Sequence, residues 1–124
     1  MHGRTALVVD DDDDIRALIT MVLARAGYRF GAVDAGAPAL VTAKADPPAV
    51  YILDVRMPEM DGHEVCRRLK ADPHTSAPVL MVSAEASEQD VAAGFDAGCD
   101  DFLPKPFSPR ELLNRLDQLL GQAA

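Results

Sequence analysis

The chain is short of positive charge: 12 Lys and Arg face 20 Asp and Glu over 124 residues, a formal net charge of −8. Such a surface repels phosphate backbones, so direct nucleic-acid binding is not expected. Long apolar runs are missing too. None approaches the ~18 residues that a bilayer span needs, so no membrane association is expected. The opening MHGRTALVV has too short an apolar stretch for a signal peptide and runs at once into five aspartates. The two cysteines, Cys66 and Cys99, are spaced for neither a metal site nor a redox motif. They suit buried small hydrophobes in a reducing compartment, and the protein is read as cytoplasmic. Internal repeats, low-complexity tracts and linkers are absent. At this length the chain is one domain with room for a real core.

What the chain does have is alternation. Thr5–Val9 (TALVV) reads as a strand. Ile15, Leu18, Ile19, Val22 and Leu23 then recur at helical spacing, with Asp12 or Asp13 to cap the start and Gly27 just past the end. A second strand covers 28–33, and a weak helix covers 37–45 before Asp46-Pro47-Pro48. Residues 49–53 carry no charge, include β-branched Val50 and Ile52, and deliver a single carboxylate, Asp54. A continuous apolar run between breakers is the mark of a parallel strand buried on both faces. A helix over 62–71 follows, with Val65, Cys66 and Leu69 inward, and Asp72-Pro73 breaks it. A strand over 77–82 ends at Ser83. An Ala-rich helix over 87–97 has Val91 and Phe95 one turn apart, and a short strand spans 101–103. Ser108-Pro109 opens a last helix, with Glu111 placed as in a capping box and Leu112, Leu113, Leu116, Leu119 and Leu120 inward. The final GQAA is read as a frayed end or a cut before something else. Five βα units of this kind imply an α/β fold, a doubly wound parallel sheet with helices on both faces.

Right-handed crossovers put the carboxyl ends of all parallel strands on one edge of the sheet. Strand one ends in Asp10 and Asp11, strand three in Asp54, strand four in Ser83, and Lys105 lies two residues past strand five. Open α/β sheets place their sites on that edge. Three carboxylates in one cleft stay ionised only beside cations. Lys105 supplies one positive charge, and the rest implies a divalent metal, with hard oxygen donors favouring Mg²⁺ or Mn²⁺. A metal, a lysine and a hydroxyl around one carboxylate make a phosphoryl-transfer site, with Asp54 attacking in line. Each residue alone has a plainer reading. Asp54 or Ser83 can cap a helix, Lys105 can lie on the surface, and Asp13 and Asp14 suit the first turn of a helix. Asp12 stays open between the two. The joint placement at four strand ends carries the argument.

With LVVDDDDDIRALI, ILDVRMPEMDGHEVCRRLK, PVLMVSAEA and GCDDFLPKPFSPRELL in hand, the whole chain resembles the response-regulator receiver domains of bacterial two-component systems. The resemblance implies a single receiver domain over 1–124 without an effector domain, in a flavodoxin-like (βα)5 fold of strand order 2-1-3-4-5. It implies that a histidine kinase or phosphotransfer protein phosphorylates Asp54. Such a domain is not a conventional enzyme, but it catalyses its own phosphorylation and dephosphorylation. Asp10, Asp11, Asp54 and the backbone carbonyl of Arg56 would bind Mg²⁺. Ser83 would move to hydrogen-bond the phosphoryl group, Lys105 would pair with it, and Phe102 would take the aromatic switch position. The Lys105-Pro106 bond would be cis. The surface of the fourth helix, fifth strand and fifth helix would then bind a downstream effector protein or domain. Arg56 and Glu85 flank the approach of water to the acyl phosphate and would set its lifetime.

Two departures qualify that resemblance. Phe102 has no hydroxyl, so packing alone would drive the switch. Residues 87–97 contain no Lys or Arg, although Glu111 and Arg115 are present on the last helix. The symmetric dimer of transcription-factor receivers is therefore in doubt, and a monomer or weak dimer is expected. Two other classes compete. An aspartyl-phosphate hydrolase of the haloacid-dehalogenase type would use Asp10-x-Asp12, Ser83, Lys105 and Asp100-Asp101. The lysine then falls on the wrong side of the acidic pair, the chain is short, and Asp54 is left idle. A flavodoxin-like binding module needs a phosphate loop where this chain has five aspartates.

Overall fold

A computed structural model of the chain describes residues 4–121. Met1–Gly3 and 122–124 lie outside the described residues, and with them most of the GQAA end. Strands β1 (Thr5–Val9), β2 (Arg29–Val33), β3 (Val50–Asp54), β4 (Val79–Ser83) and β5 (Asp101–Pro104) alternate with helices α1 (Asp13–Arg25), α2 (Gly36–Ala45), α3 (Gly62–Ala71), α4 (Glu88–Asp96) and α5 (Pro109–Leu119). All strand pairs are parallel, in the order β2-β1-β3-β4-β5. This is the doubly wound sheet that the alternation implied.

Every residue of β3 and β4 is buried, as expected of strands covered on both faces. Odd and even positions feed two cores. Leu7, Val9, Tyr51, Leu53, Val79 and Met81 pack under α2 and α3 with Val65, Cys66 and Leu69. Ala6, Val8, Ile52, Leu80 and Val82 pack under α1 and α5 with Ile19, Leu23, Leu112 and Leu116. Leu113, Leu119 and Leu120 join the second core from its rim. Cys66 and Cys99 are free and buried, and burial pushes their thiols up to about 11 and about 12, where a thiolate does not form at neutral pH.

The caps explain the helix boundaries. Asp12 is the N-cap of α1, and its Oδ1 accepts from the backbone N–H of Asp14 and Ile15. Ser87 and Ser108 each head a capping box, with Asp90 and Glu111. One expectation needs correction. The strand expected over 77–82 is Val79–Ser83, because Pro78 brings no N–H to the ladder. On α4, Phe95 is 47 % exposed. The residue against the sheet is Gly94, where an added Cβ would lie 3.0 Å from both Met81 Sδ and Phe102 Cδ2. The ring of Phe102 fills the space beneath Gly94.

Candidate metal and phosphoryl-transfer site

The carboxyl edge of the sheet gathers Asp10 at the end of β1, Asp54 at the end of β3, Ser83 at the end of β4 and Lys105 just past β5. Asp10 is fully buried and Asp54 is 4 % exposed. Lys105 Nζ donates to Asp10 Oδ2 and to Asp54 Oδ1, each at 3.1 Å, and so joins strand five to strands one and three. Its backbone N–H is held by the Ser83 carbonyl at 2.8 Å, and the Lys105–Pro106 peptide bond is cis. Asp11 is exposed at the rim. Carboxylate oxygens of Asp10, Asp11 and Asp54 all lie within 4.8 Å of one another.

Electrostatics follow from this crowding. Burial pushes the Asp54 carboxyl up from 3.8 to about 6, the Asp10 carboxylate adds to the rise, and Lys105 pulls against both. Lys105 feels burial downward, but Asp54 and Asp10 outweigh it and its pKa ends above the ordinary lysine value. Three carboxylates beside one ammonium leave the site short of positive charge. The donors are hard oxygens, which fits a small divalent cation such as Mg²⁺.

The rest of the loop geometry serves Asp54. Gly62, at the start of α3, presses against the end of β3, where any Cβ would strike the Asp54 carbonyl oxygen and Val55 Cα. Its N–H is held by the Val55 carbonyl at 2.8 Å. Asp61 caps α3 through the N–H of Glu64. Ser83 is buried, and its Oγ accepts from the Glu85 N–H at 3.0 Å. Beyond it a polar cavity of about 420 Å³ opens between the loop after β3 and α4. Arg56, Ser83, Glu85 and Phe102 are among its lining residues, and Arg56 Nε forms an ion pair with Glu85 Oε1 across it. Phe102 is 5 % exposed. Its backbone carbonyl accepts from Arg115 Nη1, which also binds Asp101 Oδ1, both at 2.9 Å.

The parts that a haloacid-dehalogenase-type hydrolase would need are not brought together. Asp12 turns away to cap α1. Asp100 precedes β5, at the opposite edge of the sheet, where it accepts from Lys70 Nζ and the Val79 N–H. Sequence reasoning also missed Arg16. Its Nη1 donates to the Asp10 backbone carbonyl at 2.9 Å and its other arm pairs with Asp13. The lone basic residue after five aspartates was the signal available.

The family model for the response regulator receiver domain matches residues 6–117. The chain is 40 % identical over 123 residues to the transcriptional regulatory protein GltR of Pseudomonas aeruginosa, covering 98 % of this chain and 51 % of that protein. It spans about half the length of the curated relatives it matches. A putative response regulator from Chloroflexus aurantiacus superimposes with a TM-score of 0.91 at 38 % identity, over 95 % of this chain and 98 % of that one. The receiver domain of a sensor histidine kinase from Pseudomonas aeruginosa superimposes with a TM-score of 0.90 at 29 % identity, over 96 % and 98 %. That structure holds a magnesium ion coordinated in its active site cleft. Among the described residues here, no helix is long and apolar enough to cross a membrane.

Proposed function

Because the chain belongs to the response regulator receiver domain family of two-component systems, whose role is phosphorylation-based signalling, we propose that Asp54 is its phosphoacceptor. The observation that carries this reading is the double hydrogen bond of Lys105 to Asp54 and Asp10 beside the acidic trio. We read residues 1–124 as one receiver domain. The donor is the phosphohistidine of a histidine kinase or phosphotransfer protein. Its P–N bond breaks as an Asp54 Oδ–P bond forms, and the electron pair returns to the imidazole nitrogen.

Asp10, Asp11, Asp54 and the Arg56 carbonyl would hold Mg²⁺ or Mn²⁺, which supplies positive charge for the transferring oxygens and keeps Asp54 ionised. Lys105 stays protonated between its two carboxylates and turns one N–H to a phosphoryl oxygen. The Ser83 hydroxyl donates to another, and doing so draws the loop after β4 toward Asp54. Phe102 lies under Gly94, so a shift of that loop reaches α4 and β5 through packing alone. The surface of α4, β5 and α5 thereby passes the state of Asp54 to an effector protein or domain. Arg115 and Glu111 are engaged within their own chain, which supports a monomer or weak dimer. Domains of this kind catalyse their own phosphorylation and dephosphorylation, and the Arg56–Glu85 pair over the cavity would crowd the attacking water.

The test is an intact-mass time course with a small phosphodonor and Mg²⁺. One labile phosphoryl adduct that is lost on adding a chelator during loading supports the reading. Steady turnover of donor without an adduct overturns it.

A further inference from the structure

We propose that Arg16 is a positioning residue for the metal site, holding the β1–α1 loop so that Asp10 and Asp11 keep their oxygens trained on Asp54. The inference rests on the reading of Asp10 and Asp11 as metal ligands. Asp10 is fully buried, and its backbone carbonyl sits where the strand ladder has ended and α1 has not begun. A carbonyl in that position needs a donor. Arg16, one turn into α1, reaches back to supply it with Nη1 at 2.9 Å. Its second arm takes Asp13, so one planar guanidinium ties the last residue of the strand edge to the first residue of the helix. Between these two anchors lie Asp11 and Asp12. Asp12 is already fixed, since its N–H binds Asp10 Oδ1 at 2.9 Å and its carboxylate caps the helix. Asp11 is exposed and takes no such tie among the described residues, so its place in the trio follows from the loop around it.

Charge alone predicts the opposite effect. A cation in contact with a metal ligand repels Mg²⁺, so its removal should tighten metal binding. Positioning predicts that removal weakens binding, because an unclipped loop must be ordered when the metal arrives. The sign of the change therefore separates the two roles.

The experiment is Mg²⁺ titration by calorimetry on the full chain, for wild type, Arg16→Lys and Arg16→Gln, with melting curves in chelator to confirm that each folds. Loss of a group that orients metal ligands typically costs about tenfold or more in affinity. Wild type is expected to bind tightest, Arg16→Lys more weakly, and Arg16→Gln about tenfold more weakly than wild type. Arg16→Gln binding Mg²⁺ as tightly as wild type, or more tightly, overturns the inference. If Arg16→Gln does not fold, Arg16→Lys decides, because it keeps the charge and loses the two-armed fork; binding equal to wild type then overturns the inference. Wild type that binds no Mg²⁺ overturns the reading of the acidic trio itself.

Discussion

Replacing Asp54 by asparagine should stabilise the metal-free protein at neutral pH, although the residue is buried and hydrogen-bonded. Burial first and Asp10 second raise the Asp54 pKa from 3.8 to about 6, against the pull of Lys105. The folded protein thus holds this proton more tightly than the unfolded chain. That favours folding below about pH 4, and the contribution is lost as pH rises through about 6. At about 1.4 kcal/mol per pH unit, an ionised Asp54 costs the fold about 3 kcal/mol above that range. Asparagine keeps the shape, drops the charge and leaves Lys105 paired with Asp10. In chelator at about pH 8, Asp54→Asn is therefore expected to melt roughly 10 °C above wild type. The gap should shrink through about pH 6 and close near pH 4. Added Mg²⁺ should narrow it by stabilising wild type alone. An asparagine variant that melts at or below wild type at about pH 8, or a gap that ignores pH, would refute the reasoning.

Three further outcomes are expected. Millimolar Mg²⁺ should raise the melting temperature of wild type by mass action, and Asp11→Asn should reduce that rise; an unchanged wild-type melt would contradict a converging metal site. Ser83→Ala should still accept a phosphoryl group on Asp54 but show a smaller hydrogen-exchange response in α4 and β5, and equal responses would sever Ser83 from the switch. Arg56→Asn should shorten the lifetime of the phosphorylated state several-fold in a decay time course in Mg²⁺ buffer, whereas unchanged decay would show that the Arg56–Glu85 pair gives no shielding.

The topology was legible because periodicity changes sharply along this chain. The uncharged runs of β1, β3 and β4 are bounded by aspartate, proline or serine, and the helices between them carry apolar residues at helical spacing. The site was legible because parallel strands deliver their last residues to one edge, which collects Asp10, Asp54, Ser83 and Lys105 whatever the details between. What the sequence hid was contact made by absence. Gly94 reads as a mild flaw in a helix until Phe102 is seen beneath it. Arg16 reads as the polar face of α1, because its partner is a backbone carbonyl and carbonyls leave no trace in residue identity. Long-range bonds at the start of β4 are equally invisible in the sequence. The Ala77 carbonyl is taken by Lys70, and the Val79 N–H by Asp100.

The central claim is that the phosphoryl group lands on Asp54. Borohydride reduces an aspartyl phosphate to homoserine, which marks the modified residue permanently. Loading the chain with a phosphodonor and Mg²⁺, reducing it, and reading the peptides by tandem mass spectrometry should place a single homoserine at position 54. Homoserine at position 10, 11 or 12, or no homoserine from a chain that consumed the donor, would contradict the account.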